Sequence, residues 1–404
     1  MSDPTASRPD HGLTRRRALQ LAAAGAVPFV LGTPDRAPGQ APASPVPGIR
    51  KPLPGAWFIP RGTNAEMRWT AMRDAGYLTP NPRFFVRNHT ATPLIDARTY
   101  RLEVFGSGLR DAAGRSFSPA DLRRLPRHTV TAFIECAGNG RSLFERQQGT
   151  RAAGTAWTLG AVGVARWTGV RLRDVLAAAG LSPSAVDVMP IGLDAPVTAA
   201  DGTDQGHVRR PLPVGKALDD ALLAWEMNGS RLPYDHGYPL RLVVPGWVGI
   251  ASIKWVGAIE VADHELFSPW NTTSYRLVGD AYPDEPVLTD QPLKSAFELR
   301  EGAVLPSGRV VRLYGRSWSG RARPAAVAVS ADGGATWTAA SFVGPNLPDA
   351  WARWTVVVRP GPPGETALLA RATDETGVTQ PDTVPFNRDG YQFWAVARHP
   401  ISVR

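Results

Sequence analysis

The 40 glycines and 38 prolines scattered through 404 residues set the strongest limit on how this chain can fold. Proline withdraws a backbone donor and fixes φ, whereas glycine admits the backbone angles of tight turns. A chain interrupted so often cannot sustain long helices, so short strands joined by turns are favoured. The length calls for two domains. With 43% hydrophobic and 20% charged residues, the composition is that of a packed globular protein rather than a disordered one.

From about Arg50 to Asp284 short strands mix with short helices. The apolar runs Thr129–Ile134 and Leu240–Val244 read as buried strands. Leu172–Ala179 reads as a helix closed by Gly180, and Ala217–Trp225 as a second helix. This is an α+β pattern without a βαβ repeat. No GxGxxG or GxxxxGK[ST] loop supports a dinucleotide or P-loop nucleotide site. After about Glu285 the texture changes to alternating segments: Arg309–Tyr314, Ala325–Ser330, Ala335–Phe342, Trp354–Arg359 and Thr366–Thr373. Asp332-Gly333-Gly334 sits between two of them as a hairpin turn, so residues 286–404 are expected to form a β-sandwich of general immunoglobulin-like form.

The N-terminus carries Thr14-Arg15-Arg16-Arg17-Ala18-Leu19-Gln20, then the apolar stretch Leu21 to Leu31, then a Pro/Ala/Gly tract. Residues 1–43 therefore read as a twin-arginine signal peptide and linker, with Ala41-Pro42-Ala43 one candidate cleavage site, leaving a domain at 44–285 before the sandwich. An exported, periplasmic protein is expected, with no permanent membrane anchor because no apolar segment has spanning length. The formal charge is +9, and removing that leader leaves 40 basic and 33 acidic residues, or +7. A basic surface suits an anionic substrate or an acidic partner. The arginines are scattered singly, without basic runs or aromatic stripes, so nucleic acid is not expected.

The chain holds one cysteine, Cys136. It cannot form an internal disulfide, so it is either a small buried hydrophobe or a chemically used thiol. Its setting is Phe133-Ile134-Glu135-Cys136-Ala137-Gly138-Asn139-Gly140-Arg141. A buried strand delivers the thiol to its end, and a Gly/Asn turn follows that lets backbone approach a bulky group closely. Arg141 nearby favours thiolate, the form that binds soft metals. No local His motif supplies a base for a nucleophile, and no second cysteine serves thiol–disulfide chemistry.

The run Cys136 to Asn139 resembles the molybdenum-ligand motif of the sulfite oxidase family. The resemblance extends over separated blocks from about residue 75 to near the end. Upstream lies Phe84-Phe85-Val86-Arg87-Asn88-His89. Downstream lie Trp157, Ala165-Arg166-Trp167, Glu226-Met227-Asn228-Gly229, Asp235-His236-Gly237-Tyr238-Pro239-Leu240-Arg241, Val244-Pro245-Gly246 and Lys254-Trp255. Ser330 to Trp337 and Gln380-Pro381-Asp382-Thr383 are similar to the family's dimerisation domain. The implied fold is a sulfite-oxidase-type molybdopterin-binding domain followed by an immunoglobulin-like dimerisation sandwich, in a homodimer.

The resemblance implies roles for particular residues. Cys136 would give its thiolate to molybdenum beside the dithiolene of a molybdopterin. Phe84, Phe85, Val86, Arg87, Asn88, Asp194, His236, Arg241, Ser252, Ile253 and Lys254 fall where the family holds the pterin and its phosphate. Arg87, Arg141, Trp157 and Tyr275 fall at the anion pocket beside the metal. The pocket's further arginine, from the second domain, matches at Arg388 or Asp389, and Arg388 is taken as the candidate. Two other positions depart from family members: Gly140 stands where animal and plant members have Arg, and Ala251-Ser252 replace an Arg-His pair. Isolated arginines are by default solvated or salt-bridged, and Arg87 and Arg141 exceed that default because both flank matched segments. Trp255, His89, His128, His264 and His399 are read as structural, and His207 stays open.

The implied activity is oxidation of sulfite to sulfate by oxo transfer. The chain has no Cys-x-x-Cys-His haem attachment and no spare cysteines for an iron–sulfur cluster. An external acceptor such as a c-type cytochrome is therefore expected. Two rival readings stand beside this one: a sulfane dehydrogenase acting on carrier-bound sulfur, and a non-catalytic exported binding protein with Cys136 merely buried.

Overall fold

The computed structural model describes residues 47–404, so the signal-peptide reading of residues 1–43 lies outside the described residues. Two sheets, the first mixed and the second antiparallel, form the body of residues 47–290. The first runs, in spatial order, Leu212–Pro213, Asp187–Gly192, Val256–Ala262, Leu102–Phe105 and Arg115–Phe117. Only the pairing of Val256–Ala262 with Leu102–Phe105 is parallel in this sheet. The second sheet runs Ser230–Arg231, Leu222–Met227, Val162–Arg171 and Arg127–Glu135, with Arg241–Val243 also paired to Leu222–Met227.

The expected strand at Thr129–Ile134 lies within Arg127–Glu135. Its first half is partly exposed and its last four residues are buried, so it enters the core just before Cys136. The expected helix Leu172–Ala179 forms as read, and Gly180 ends it at φ +89°, a left-handed conformation that favours glycine. The expected helix Ala217–Trp225 is corrected. Helix covers Val214–Asp219, and Leu222–Met227 is a central strand hydrogen-bonded on both sides. Leu222, Leu223 and Ala224 are all inaccessible to solvent, and a segment buried on both faces carries no period that separates strand from helix.

Residues 294–404 form a β-sandwich. One sheet holds Lys294–Phe297, Val311–Trp318, Trp351–Val358 and Ser341–Phe342. The other holds Ala303–Leu305, His399–Val403, Gly364–Asp374, Pro324–Ser330 and Thr338–Ala339. Leu313, Val327, Val329, Val356, Leu368 and Ile401 fill the space between them. The expected single strand Ala335–Phe342 is broken into two short pieces, one paired in each sheet, so the chain crosses between sheets at Ala340.

The two parts share a core. Trp318, Ala350 and Trp351 of the sandwich pack in one cluster with Phe84, Phe133 and Trp167. Trp69 stacks on Trp318 at 5.7 Å between ring centroids. The stretch before the sandwich remains bridged to the first part through Val287 and Asp290. At Gly246 and Gly320 the two backbones touch. A Cβ on Gly320 would lie 1.9 Å from the Gly246 carbonyl oxygen, so neither side admits a side chain.

Arg316 crosses this seam while fully buried. Its Nε donates to Glu298 at 2.7 Å, Nη1 to the Tyr77 carbonyl at 2.8 Å and Nη2 to the Gly76 carbonyl at 2.7 Å, and the guanidinium lies 4.3 Å from the Trp351 ring. Removing it leaves a buried carboxylate and two carbonyls short of donors. Arg316→Met is expected to lower the unfolding free energy by about 3–5 kcal/mol, read as a drop in the thermal or urea midpoint. An unchanged midpoint would show the seam does not depend on this residue.

Candidate active site

Cys136 sits at the mouth of the buried strand because its own N–H donates to the Ala161 carbonyl at 2.9 Å and its carbonyl accepts from Asn139 N–H at 2.9 Å. The turn after it needs its glycines. Gly140 has φ +93°, and a Cβ there would meet Phe393 at 3.1 Å, which accounts for the absence of the arginine expected by resemblance. A Cβ on Gly138 would strike the Arg141 guanidinium at 2.6 Å. The turn thus holds Arg141 while leaving the thiol facing a cleft of about 720 Å3.

That cleft gathers most of the residues singled out by sequence. Phe84, Phe85, Arg87, Asn88, Asp194 and His236 line it with Cys136, as do Arg241, Ser252, Ile253, Lys254 and Tyr275. Val86 does not: its side chain packs with Ile49, Leu53, Phe58 and Ala65, because successive residues of an extended segment point to opposite sides. Trp157 lies behind the wall, 1% exposed and edge-on to Phe85 at 6.4 Å.

Buried cations gather at one end of the cleft: Arg241 and Lys254 line it, and Lys51 Nζ reaches the lining residue His236 at 3.3 Å. Lys51 donates to the Phe84 carbonyl, and Lys254 to the Asn88 side chain and, at 3.0 Å, to the Asp235 carbonyl. Arg241 donates to the carbonyls of His236 and Ser252 at 3.0 and 3.1 Å. Burial lowers Lys51 and Lys254 to about 7 and Arg241 to about 9. Burial, then the surrounding cations, holds His236 well below its ordinary range and therefore neutral. The nearby carboxylate of Asp235 is already engaged by Arg50 N–H, Lys51 N–H and the Thr92 hydroxyl. Asp194, 2% exposed, is raised by burial to about 6 against the pull of Lys254, and its Oδ1 has no hydrogen-bond partner.

These features fit a molybdopterin. The buried cations call for an anion such as its phosphate, and the orphaned Asp194 oxygen calls for a donor such as a pterin ring N–H. Among the described residues no group of three or more His, Cys, Asp and Glu stands ready to hold a metal. The one soft donor that lines the cleft is the sulfur of Cys136.

Around Tyr275 lies the cationic end. Arg87 Nη2 approaches His89 Nε2 at 3.0 Å, Trp270 Nε1 donates to the same nitrogen at 3.3 Å, and the Tyr275 hydroxyl is 3.4 Å from it. Burial, then Arg87, keeps His89 well below its ordinary range, so this nitrogen is an acceptor that orients its neighbours. Tyr275 is held above its ordinary range by burial, so its phenol keeps its proton and can donate. Its ring stacks on Tyr391 at 5.3 Å, with Arg141 5.4 Å from the Tyr391 ring and Arg210 5.8 Å from the Tyr275 ring. Arg141 is fixed by bonds from Nε to the Asp389 carbonyl at 2.7 Å and from Nη1 to the Thr155 carbonyl at 2.9 Å, leaving Nη2 uncommitted by either.

Arg388 is corrected. Its side chain is 57% exposed and paired with the Asp389 carboxylate at 3.1 Å, so it does not line the cleft. Arg210, 1% exposed, is a buried arginine beside Tyr275 that donates to the Trp270 carbonyl at 2.7 Å and to the Leu288 carbonyl; neither it nor Arg141 is among the residues that line the cleft. His89 is also corrected, from a structural residue to a lining residue, whereas His128, His264 and His399 keep surface or structural contacts. His207 contacts the Asp194 carbonyl behind the cleft wall. Trp255 is buried as read and also forms part of the lining, with Lys254 Nζ 4.2 Å from its ring. Sequence reasoning missed Lys51, Asp235 as a lining residue, Arg210 and Tyr391. Asp235 sat inside a matched block, and Tyr391 lay next to the ambiguous arginine position; Lys51 and Arg210 had no local signal.

Comparison with known proteins agrees with this geometry. Residues 89–270 match the family described as the oxidoreductase molybdopterin binding domain. The chain is 39% identical over 330 residues to mitochondrial sulfite oxidase of Mus musculus, covering 76% of this chain and 58% of the mouse protein's length. It is 39% identical over 329 residues to sulfite oxidase of Gallus gallus, covering 76% of this chain and 69% of that protein. The sulfane dehydrogenase SoxCD structure from Paracoccus pantotrophus superposes with a TM-score of 0.70 at 28% identity, covering 93% of this chain and 95% of that one. With its thiol, buried cationic cradle and molybdopterin-binding domain in one cleft, the chain belongs to the sulfite oxidase family.

Proposed function

We propose that this protein is a molybdopterin-dependent oxidoreductase that oxidises sulfite to sulfate and passes the electrons to an external acceptor. The observation that carries the reading is the single cleft joining the Cys136 thiol, the cations Arg241 and Lys254 and the guanidinium of Arg87, with Lys51 Nζ 3.3 Å from the lining residue His236. When bound, the molybdenum cofactor supplies oxygen-atom transfer and two-electron uptake. Cys136 would hold the metal; Lys51, Arg241 and Lys254 would hold the phosphate; Asp194 and His236 would meet the pterin. Arg87 compensates the lost hydration of a sulfite dianion and orients its sulfur, with Arg141 adding positive charge from outside the lining. His89, neutral, fixes Arg87 by accepting its N–H, and Tyr275 donates its phenolic proton toward substrate oxygen. Trp157 keeps the wall behind Phe85 rigid.

A second reading, oxidation of carrier-bound sulfur, is favoured by the extensive match to sulfane dehydrogenase and by the outward, neutralised position of Arg388. Turnover of free sulfite with ferricytochrome c supports the first reading; turnover only with a sulfur-bearing carrier supports the second. Purified protein containing neither molybdenum nor pterin would sink both. Export through the twin-arginine pathway rests on Arg15-Arg16-Arg17 and the following apolar stretch. A c-type cytochrome is the proposed acceptor. Homodimerisation is proposed through the sandwich, whose outward Val310, Tyr314 and Val357 are 61%, 44% and 44% exposed.

Arg87→Gln is expected to raise KM for sulfite by about 10- to 100-fold, the worth of one buried charge-assisted contact, with a smaller change in kcat. An unchanged KM would remove Arg87 from the anion pocket. Cys136→Ser is expected to abolish turnover in protein that still folds, and measurable turnover would overturn the ligand assignment.

The lysines set a pH dependence. Unfolded, they hold their protons up to the ordinary lysine range; folded without cofactor, they release them above about 7. Between those values the unfolded state binds more protons, so their contribution to stability grows as pH rises. Anion binding requires them charged and runs the opposite way. Sulfate, a dianion throughout, is expected to raise the melting temperature of cofactor-free protein more at pH 6 than at pH 9. Equal shifts at both pH values would exclude the lysines from the cradle.

A further inference from the structure

The residue preceding the thiol, Glu135, is fully buried and is held mainly from the sandwich. Lys294 Nζ donates to its Oε1 at 2.7 Å and Trp318 Nε1 to its Oε2 at 3.0 Å, while Gln291 Nε2 donates to its backbone carbonyl at 2.9 Å. Within the turn, Asn139 Nδ2 donates to Oε1 at 2.8 Å, and its Oδ1 accepts from Ala161 N–H at 2.9 Å. Lys294 bonds again to the Asn139 carbonyl at 3.2 Å. Farther round the turn, Gln392 N–H donates to the Ala137 carbonyl at 2.8 Å, and Phe393 closes over Gly140. Both ends of the segment 135–140 are therefore gripped by residues 291–393, which contribute no side chain to the cleft lining. The Glu135 carboxylate and the Lys294 ammonium, 0% and 2% exposed by side chain, act as one fixed unit.

We propose that the sandwich positions the metal-binding thiol: the Lys294–Glu135 pair, with Trp318, fixes the turn that aims Cys136 into the cleft. These are positioning residues, since none of Lys294, Glu135 and Trp318 lines the cleft. The inference rests on the reading of Cys136 as metal ligand, but its first test does not. Because Cys136 is the only cysteine in the chain, alkylation of cofactor-free full-length protein by iodoacetamide reports on that one thiol.

The variant to use is Glu135→Gln/Lys294→Met, which removes both charges together and leaves no buried charge unpaired. Trp318→Phe is the milder second variant, losing one donor and keeping a ring in the stack. Leu313→Ala, in the sandwich core and outside the network, serves as the control for general destabilisation. The double variant is expected to alkylate at a rate changed by at least about threefold, as a local loosening of the turn requires, with Trp318→Phe changed in the same sense and Leu313→Ala close to wild type. In loaded protein, kcat is expected to fall about tenfold with KM for sulfite held within about twofold, since the aim of the ligand and not the anion pocket is altered, and the metal's EPR signature is expected to shift. Alkylation rates alike in all four proteins, or a change in Leu313→Ala equal to that in the double variant, would overturn the proposal and reduce the pair to an ordinary structural tie. Altered alkylation in protein that takes up no molybdenum would leave the positioning intact and sink the cofactor reading instead.

Discussion

Burying the carboxylate of Glu135 is the constraint around which this molecule is arranged. A carboxylate without solvent costs several kcal/mol unless charge and hydrogen bonds replace its water. Here the replacements come from three places: Asn139 in the adjoining turn, Lys294 on the first strand of the sandwich, and Trp318 on the second. Meeting that requirement brings the end of the Arg127–Glu135 strand, the glycine turn and the sandwich together at one point. Cys136 is the next residue, so its place follows from how its neighbour is satisfied.

The cleft shows the opposite condition. Lys51, Lys254 and Arg241 are buried where Asp235 is engaged by other donors and the Asp194 Oδ1 is left alone. Their depressed proton affinity measures how poorly the protein alone solvates them. A ligand that neutralises them would stabilise such a site, and under the proposed function the same residues that weaken the bare fold would supply affinity for an anionic cofactor.

What the sequence revealed follows from the range of the interactions. The Cys136 turn was legible because its strand, its glycines and its arginine are contiguous, and Phe84, Arg87, Asn88 and Lys254 because they stand in compact blocks. Arg388 was misplaced because a neighbouring carboxylate, one residue away, draws its guanidinium outward. His89 looked structural since nothing local announces that Arg87, Trp270 and Tyr275 will converge on its ring. Lys51 and Arg210 depend on partners supplied by the fold, and the Glu135–Lys294 pair spans 159 positions. The strand Leu222–Met227 was hidden for another reason, since burial on both faces erases the alternation that identifies a strand.

The contact of Gly246 with Gly320 bears on how such a protein can work. Two backbones in contact, with Gln291 N–H bonded to the Gly246 carbonyl at 2.9 Å and Gly320 N–H to the Gln291 carbonyl at 2.8 Å, leave no room between Gly246 and Gly320 for a side chain. A catalytic cycle built on closure of one domain over another needs a pivot, and this seam offers none. A substrate and an electron acceptor, under the proposed function, would then be met by side-chain motion and surface docking at the rim of the cleft.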